Sequence, residues 1–157
     1  MIVDPVLARG RFDRDTLPLL QQEVAYQNAG IRVVRIAFPV IEVALWWRAI
    51  NGELLLHVQA DDYDYLPVQG WWTDGTGQPA HQGGSIRLPG GLGFQLGGDP
   101  YGQNRTWFCF PGWREFHDHP GHQNTPWIHY RFQPAYRLPG LIVQLQSDLN
   151  RPQVGVT

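Results

Sequence analysis

The sequence predicts an α+β fold in which an N-terminal helix packs on an antiparallel meander of about four strands, followed by a cysteine loop and a second helix. Three observations predict it. A helical pattern occupies residues 16–28, β-rich runs separated by turn signals follow it, and a second helical pattern occupies residues 141–149. The 13 prolines and 18 glycines in 157 residues also favour a turn-rich, strand-containing fold over a helical bundle.

The first helix is predicted from Thr16 to Asn28. Asp15 or Thr16 can cap it, and Pro18 would lie in its first turn, where proline is tolerated. Gly30 is a natural stop signal. The spacing of its apolar residues predicts a core-facing stripe of Leu17, Leu20 and Val24.

The strands are predicted from β-rich composition and alternating polarity. Asn51-Gly52 is typical of a two-residue hairpin turn between the second and third strands. In the third strand, Leu54, Leu56 and Val58 alternate with Leu55, His57 and Gln59, which predicts one buried face. The four predicted strands are residues 31–38, 42–50, 53–60 and 68–73.

The second half of the chain is predicted to be mostly loops, with a helix near its end. Residues 74–103 are glycine-rich, with short ordered pieces expected at residues 85–88 and 93–96. Cys109 lies in a short apolar run, residues 106–110, and residues 111–123 form a polar loop. The final helix, Leu141 to Leu149, places Leu141, Leu145 and Leu149 on one face.

Length and charge restrict the possible functions. We expect one domain, residues 1–157, with a core of about 16–152. The net charge of −2 gives no basic field for nucleic acid or an anionic membrane, so neither is an expected partner. Residues 1–10 do not resemble a secretion signal, and a single cysteine suits a reducing compartment. A cytoplasmic location is therefore expected.

The chain contains no lysine, and all 12 of its basic side chains are arginine. A preference for arginine codons would explain this composition. Selection against self-modification would also explain it, because an enzyme that carries an acyl group destined for lysine would modify its own lysines. Under either explanation no lysine side chain of this protein can accept an acyl group.

Most of the chain's candidate catalytic and metal-binding side chains lie around Cys109. Four of the 6 histidines lie within a stretch of 13 residues, and a carboxylate precedes them; the stretch and its neighbours are Cys109, Glu115, His117, Asp118, His119, His122 and His129. Cys109, Glu115, His117 and His122 could bind zinc. Histidines could instead activate Cys109 as a nucleophile. A structural cysteine between Phe108 and Phe110 is the third interpretation.

The order of the predicted elements resembles the ubiquitin-conjugating-enzyme fold. The segment from Tyr63 to Pro67 and the following VQGWWT match that family's tyrosine-proline turn and fourth strand, and TWFCF resembles its nucleophile segment. LIVQLQSDLNRP resembles the helix that follows the family's cysteine. The His-Pro-Asn motif of the family is not present before Cys109, and we expect the family's usual C-terminal helices to be absent.

A bacterial family of predicted metal-binding domains gives a closer resemblance. Its Cys-Glu-His-His signature is similar to Cys109, Glu115, His117 and a following histidine. Members are encoded in antiviral operons beside ubiquitin-like proteins, activating enzymes and JAB-type proteases. The resemblance implies a transferase that accepts a ubiquitin-like protein from an activating enzyme and transfers it to lysines of target proteins, with no cofactor; a zinc-binding enzyme or adaptor is the alternative.

The resemblance also suggests roles for individual residues. Cys109 would carry the ubiquitin-like protein as a thioester, which a target lysine amine then attacks. Because most lysine amines are protonated at neutral pH, a base must assist, and His117, His119 and Glu115 are the candidates. Asn104, five residues before the cysteine, could stabilise the oxyanion.

Overall fold

A computed structural model describes residues 3–157. Met1 and Ile2, which belong to the predicted domain and to the N-terminal stretch considered above, lie outside the described residues. The described chain is α+β, with N-terminal helices followed by a four-stranded antiparallel meander, as the sequence predicted. Its elements are α1 (Pro5–Gln21), α2 (Glu23–Asn28), β1 (Ile31–Ala37), β2 (Val40–Trp47), β3 (Gly52–Gln59), β4 (Gln69–Thr73), β5 (Pro89–Gly90), β6 (Phe94–Gln95), β7 (Trp107–Phe108), α3 (Arg114–Asp118), α4 (Leu138–Leu149) and β8 (Gly155–Val156). No helix among residues 3–157 is both long and apolar enough to cross a membrane.

The main sheet has the strand order β1-β2-β3-β4, so each strand is hydrogen-bonded to its neighbours along the chain. Val43 of β2 faces Leu56 of β3, which in turn faces Trp72 of β4. All three are buried, as are Leu54 and Val58, so the predicted buried face of β3 forms, although His57 on the opposite face is buried too. The predicted two-residue turn at Asn51-Gly52 is wrong in its length, because β2 ends at Trp47, which pairs with Gly52. Four residues connect the strands, a short 3-10 helix, Arg48–Ile50, and Asn51 in the left-handed conformation at φ 48°.

The predicted start of the first helix is wrong, because α1 begins eleven residues before Thr16, at Pro5. The Asp4 side chain accepts a hydrogen bond from the Val6 N–H, and Pro5 occupies the first helical position. The proposed caps are interior residues instead. Asp15 accepts a hydrogen bond from the Tyr63 hydroxyl, and the Thr16 hydroxyl donates to the Phe12 carbonyl. An acidic residue followed by proline therefore marks a helix start that the prediction placed too late.

The predicted core-facing stripe of this helix is also wrong. Leu17, Leu20 and Val24 are 46%, 57% and 68% exposed, while a stripe of Ala8, Phe12 and Leu19 is fully buried. The predicted helix is divided at Gln22, so Val24 belongs to the separate helix α2. Starting the helix at Pro5 brings residues 8, 12 and 19 onto one face, with the spacing expected of a helix that covers a sheet.

The core lies between the sheet and helices α1 and α4. Leu141, Leu145 and Leu149 of α4 are buried as predicted, although this helix begins three residues early, at Leu138. The core extends beyond the predicted limits of 16–152, because Ala8, Phe12 and Val154 are buried and β8 pairs with β5. The strand β6 confirms an ordered piece within residues 93–96, whereas residues 85–88 form no strand.

Candidate active site

Cys109 follows β7, which pairs with β6 in a small hairpin. The Cys109 N–H donates a 2.8 Å hydrogen bond to the Gly93 carbonyl, which fixes the backbone of the cysteine. A Cβ on residue 93 would lie 2.6 Å from the Cys109 carbonyl oxygen, so glycine is required for this close approach. Phe108 is fully buried beneath the site, whereas Cys109 itself is only half-buried. The thiol is therefore not sealed in the core.

The nearest polar neighbour of the thiol is His122. Its Nε2 lies 3.5 Å from the Cys109 Sγ, within the range of a sulfur hydrogen bond. The imidazole stacks on the Phe116 ring, with centroids 3.9 Å apart and planes 20° from parallel. Because stacking restricts rotation of the ring, Nε2 is held toward the sulfur. His122 had been predicted only as part of the alternative zinc site.

The environment of Cys109 favours a neutral thiol. Burial raises the pKa of Cys109, since a thiolate would lose part of its hydration in the half-buried position. A thiolate is the nucleophilic form of cysteine, so reaction at neutral pH would require a base to take the proton. The Nε2 of His122 has the position for that role.

Glu115 lies in the first turn of α3, within the segment predicted as a polar loop, and its side chain is completely buried. Its Oε1 accepts a 2.6 Å hydrogen bond from Nη2 of Arg105, which is 2% exposed. Burial raises the pKa of the Glu115 carboxyl, and the positive charge of Arg105 opposes this rise. This placement does not suit the base that the sequence predicted, because an incoming amine cannot reach a carboxyl without exposed surface.

His117 is held by two backbone groups. Its Nδ1 is 2.7 Å from the Thr125 carbonyl oxygen, which can only accept, so Nδ1 carries the proton. Its Nε2 accepts a 2.9 Å hydrogen bond from the Gly112 N–H. Burial lowers the pKa of this imidazole, which agrees with a neutral ring. With both nitrogens occupied, His117 joins two parts of the loop and is not free to act as the predicted base.

The other two predicted catalytic residues are His119 and Asn104. His119 stacks on Trp107 with ring centroids 6.0 Å apart, and its Nδ1 accepts from the Gly121 N–H. Its ring centroid is 5.4 Å from that of His122, so His119 lies beside the histidine that contacts the thiol. Asn104 is exposed and has φ 53°, and its side chain lies beside Gly97 in the loop before β7.

The structure does not assemble the four residues of the zinc alternative. No group of three or more histidine, cysteine, aspartate or glutamate side chains within residues 3–157 is arranged to hold a metal ion. Cys109 and His122 are adjacent, but the Glu115 carboxyl is paired with Arg105 and both nitrogens of His117 are bound to the backbone. Two of the four candidate ligands are thus committed to other partners.

The sequence analysis did not identify two residues of the site. Arg105 is the buried partner of Glu115, and Tyr101 donates a 2.6 Å hydrogen bond to Asp118 at the end of α3. Arg105 lies four residues before Cys109, directly before the apolar run of residues 106–110, where a buried charge requires a partner. That mismatch was the available signal, since Glu115 is the nearest following carboxylate in the sequence.

Neither the family models nor the curated proteins that were searched include a match to this chain. The class of protein therefore has to be argued from the fold and the site.

Proposed function

We propose that this chain is a conjugating enzyme that carries a ubiquitin-like protein as a thioester on Cys109 and transfers it to lysines of target proteins. The observation that carries the proposal is the half-buried thiol with the Nε2 of His122 at 3.5 Å. A lone reachable cysteine beside an imidazole is the arrangement used for nucleophilic thiol chemistry.

The order of the elements supports the same class. N-terminal helices, a four-stranded meander, a cysteine after a short strand and a later helix follow the order of the ubiquitin-conjugating-enzyme fold. The absence of lysine also suits an enzyme that holds an activated acyl group, because the chain offers no lysine side chain for self-modification. Its partners would be a ubiquitin-like protein, an activating enzyme, lysine-bearing targets and a JAB-type protease that reverses the reaction, in bacterial anti-phage defence.

The first step is an exchange of thioesters. The Cys109 sulfur attacks the carbonyl carbon of the incoming thioester while His122 Nε2 takes the thiol proton. The tetrahedral intermediate collapses, and the activating enzyme's cysteine leaves as a thiolate that is then protonated. Backbone N–H groups near Cys109 or the Asn104 side chain, after movement of its exposed loop, would stabilise the oxyanion.

The second step transfers the acyl group to an amine. A lysine Nζ that has lost its proton attacks the carbonyl carbon of the Cys109 thioester, and an isopeptide bond forms as the C–S bond breaks. The nitrogen loses one further proton as it becomes an amide; His122 Nε2 would take this proton and return it to the departing Cys109 sulfur, so that the step balances without another reactant. His119, partly exposed and next to His122, is the remaining histidine able to exchange protons with the incoming amine.

A reconstitution tests the proposal. The chain is mixed with the activating enzyme and ubiquitin-like protein of its own operon and with ATP, and adducts are separated on denaturing gels. We expect a wild-type adduct that a thiol reductant removes and that Cys109→Ala abolishes. An adduct unaffected by Cys109→Ala would contradict the proposal. Retention of one zinc per wild-type chain and its loss in Cys109→Ala would favour the zinc alternative instead.

A further inference from the structure

We infer that Arg105, Glu115 and Phe116 are positioning residues that hold the His122 imidazole against the Cys109 thiol. The inference rests on the thiol chemistry proposed above, and it names the part of the protein that makes this thiol reactive. Each of the three would act through His122 and not on the sulfur itself.

The first link is the fixed position of Arg105. Its guanidinium carbon lies 4.9 Å from the centre of the Trp71 ring and 5.5 Å from that of Tyr101, so aromatic rings restrict its movement. Its backbone N–H donates to the buried Asp99 carboxylate. Arg105 therefore offers a rigid donor immediately before the strand that leads to Cys109.

The second link is the ion pair between Arg105 and Glu115. The 2.6 Å bond joins side chains that are 3% and 0% exposed, and it connects the segment just before β7 to the first turn of α3. Removing two charges from water costs about as much as their attraction returns, so such a pair is a poor source of stability compared with apolar side chains of the same size. The pair has one charge-assisted hydrogen bond, from Arg105 Nη2 to Glu115 Oε1, and because both groups are buried this bond fixes where the first turn of α3 lies.

The third link connects α3 to the imidazole. Phe116 follows Glu115 directly, is 8% exposed, and stacks on the His122 ring with centroids 3.9 Å apart. His122 ends a 3-10 helix, Pro120–His122, that comes shortly after α3. A shift of α3 would carry the Phe116 ring with it, and a movement of about 1 Å is enough to spoil a catalytic geometry.

The test measures the reactivity of Cys109 toward iodoacetamide at one fixed pH, in the free protein and without conjugation partners. His122→Gln should slow alkylation by about tenfold or more, because the variant lacks the imidazole that accepts the thiol proton. Phe116→Leu and Glu115→Gln should each slow it several-fold while the fold is retained in circular dichroism. His129→Gln is the matched control, since it changes an exposed histidine of the same region, and it should react at the wild-type rate.

A double-mutant cycle separates positioning from a general structural effect. In the His122→Gln background, Phe116→Leu and Glu115→Gln should cause little further loss, because the group they position is gone. Equal losses in both backgrounds, no loss in the folded single variants, or a wild-type rate in His122→Gln would each overturn the inference.

Glu115→Gln leaves the buried Arg105 charge without its counter-charge, so a second variant guards against misfolding. The double variant Arg105→Met/Glu115→Leu fills the space without charge, and we expect it to fold and to alkylate slowly like His122→Gln. A wild-type alkylation rate in that double variant overturns the role of the ion pair. If the double variant does not fold, the alkylation rate of Phe116→Leu decides whether the inference holds. Alkylation requires no ubiquitin-like protein, so these results stand apart from the outcome of the reconstitution.

Discussion

At the scale of single residues, the histidines around the cysteine have different environments. His117 is bonded to two backbone groups, His119 stacks on Trp107, and His122 faces the thiol. The sequence predicted the cluster and its proximity to Cys109, but it did not distinguish these roles. The partners of His117 are backbone groups of Gly112 and Thr125, and their position depends on how the loop closes rather than on any spacing pattern.

The bonding of His117 predicts how stability depends on pH. Burial lowers the pKa of His117 from its usual value of 6.5, so the folded protein binds fewer protons at this residue than the unfolded chain does. The free energy of unfolding contributed by His117 should therefore fall as the pH falls below about 6.5, until the folded ring is protonated too. In His117→Gln, a carboxamide can make both backbone bonds without titrating.

Urea unfolding of wild type and His117→Gln at several pH values between 8 and 5 measures this effect. The difference in free energy of unfolding, wild type minus variant, should decrease toward low pH. Taking the difference removes the contribution of Glu115, whose raised pKa acts in the opposite direction. A difference that stays constant, or grows toward low pH, would show that His117 is not held neutral.

At the scale of elements, the hairpin of β6 and β7 determines where the thiol sits. We expect Gly93→Ala to destabilise the protein by about 1–3 kcal/mol, because the new methyl group would press on the Cys109 carbonyl oxygen and the Phe110 ring. It should also change the rate of Cys109 alkylation by moving the thiol. Thermal unfolding and iodoacetamide kinetics measure the two effects.

Gly10→Ala is the matched control for Gly93→Ala. Gly10 lies inside α1, and a Cβ there would meet no atom within 4 Å. Alanine should therefore stabilise the protein by about 0.5–1 kcal/mol and leave alkylation unchanged. If Gly93→Ala behaved like Gly10→Ala in both assays, the close packing of the hairpin against the cysteine would be incorrect.

The strands could be predicted from the sequence better than the first helix. Alternation in β3 has one solution, because a shift by one residue would expose Leu54, Leu56 and Val58. The helix is less constrained, since Leu17 and Leu20 form an apolar stripe that remains exposed. The helix α3 was missed because its five residues, Arg114–Asp118, are too few to give a periodic pattern and are held by the buried Arg105–Glu115 pair.

At the scale of the whole molecule, one core supports both the sheet and the site. Trp72 of β4 touches the Phe108 ring edge-on, and Phe108 in turn meets Trp113, just before α3. The loop that carries the histidines therefore rests on the same core as the sheet, through buried aromatic side chains. The sequence predicted the α+β order and the cysteine loop, whereas the contact between Cys109 and His122 depends on this long-range packing.

The most direct test of the central claim is the intact mass of the adduct formed by Cys109→Ser with the activating enzyme, the ubiquitin-like protein and ATP. If residue 109 carries the acyl group, the variant should gain the mass of one ubiquitin-like protein less one water, in an oxyester that survives reductant. The wild-type adduct should have the corresponding mass and be lost on reduction. Failure of both proteins to gain this mass, or an unchanged adduct in Cys109→Ala, would contradict the account.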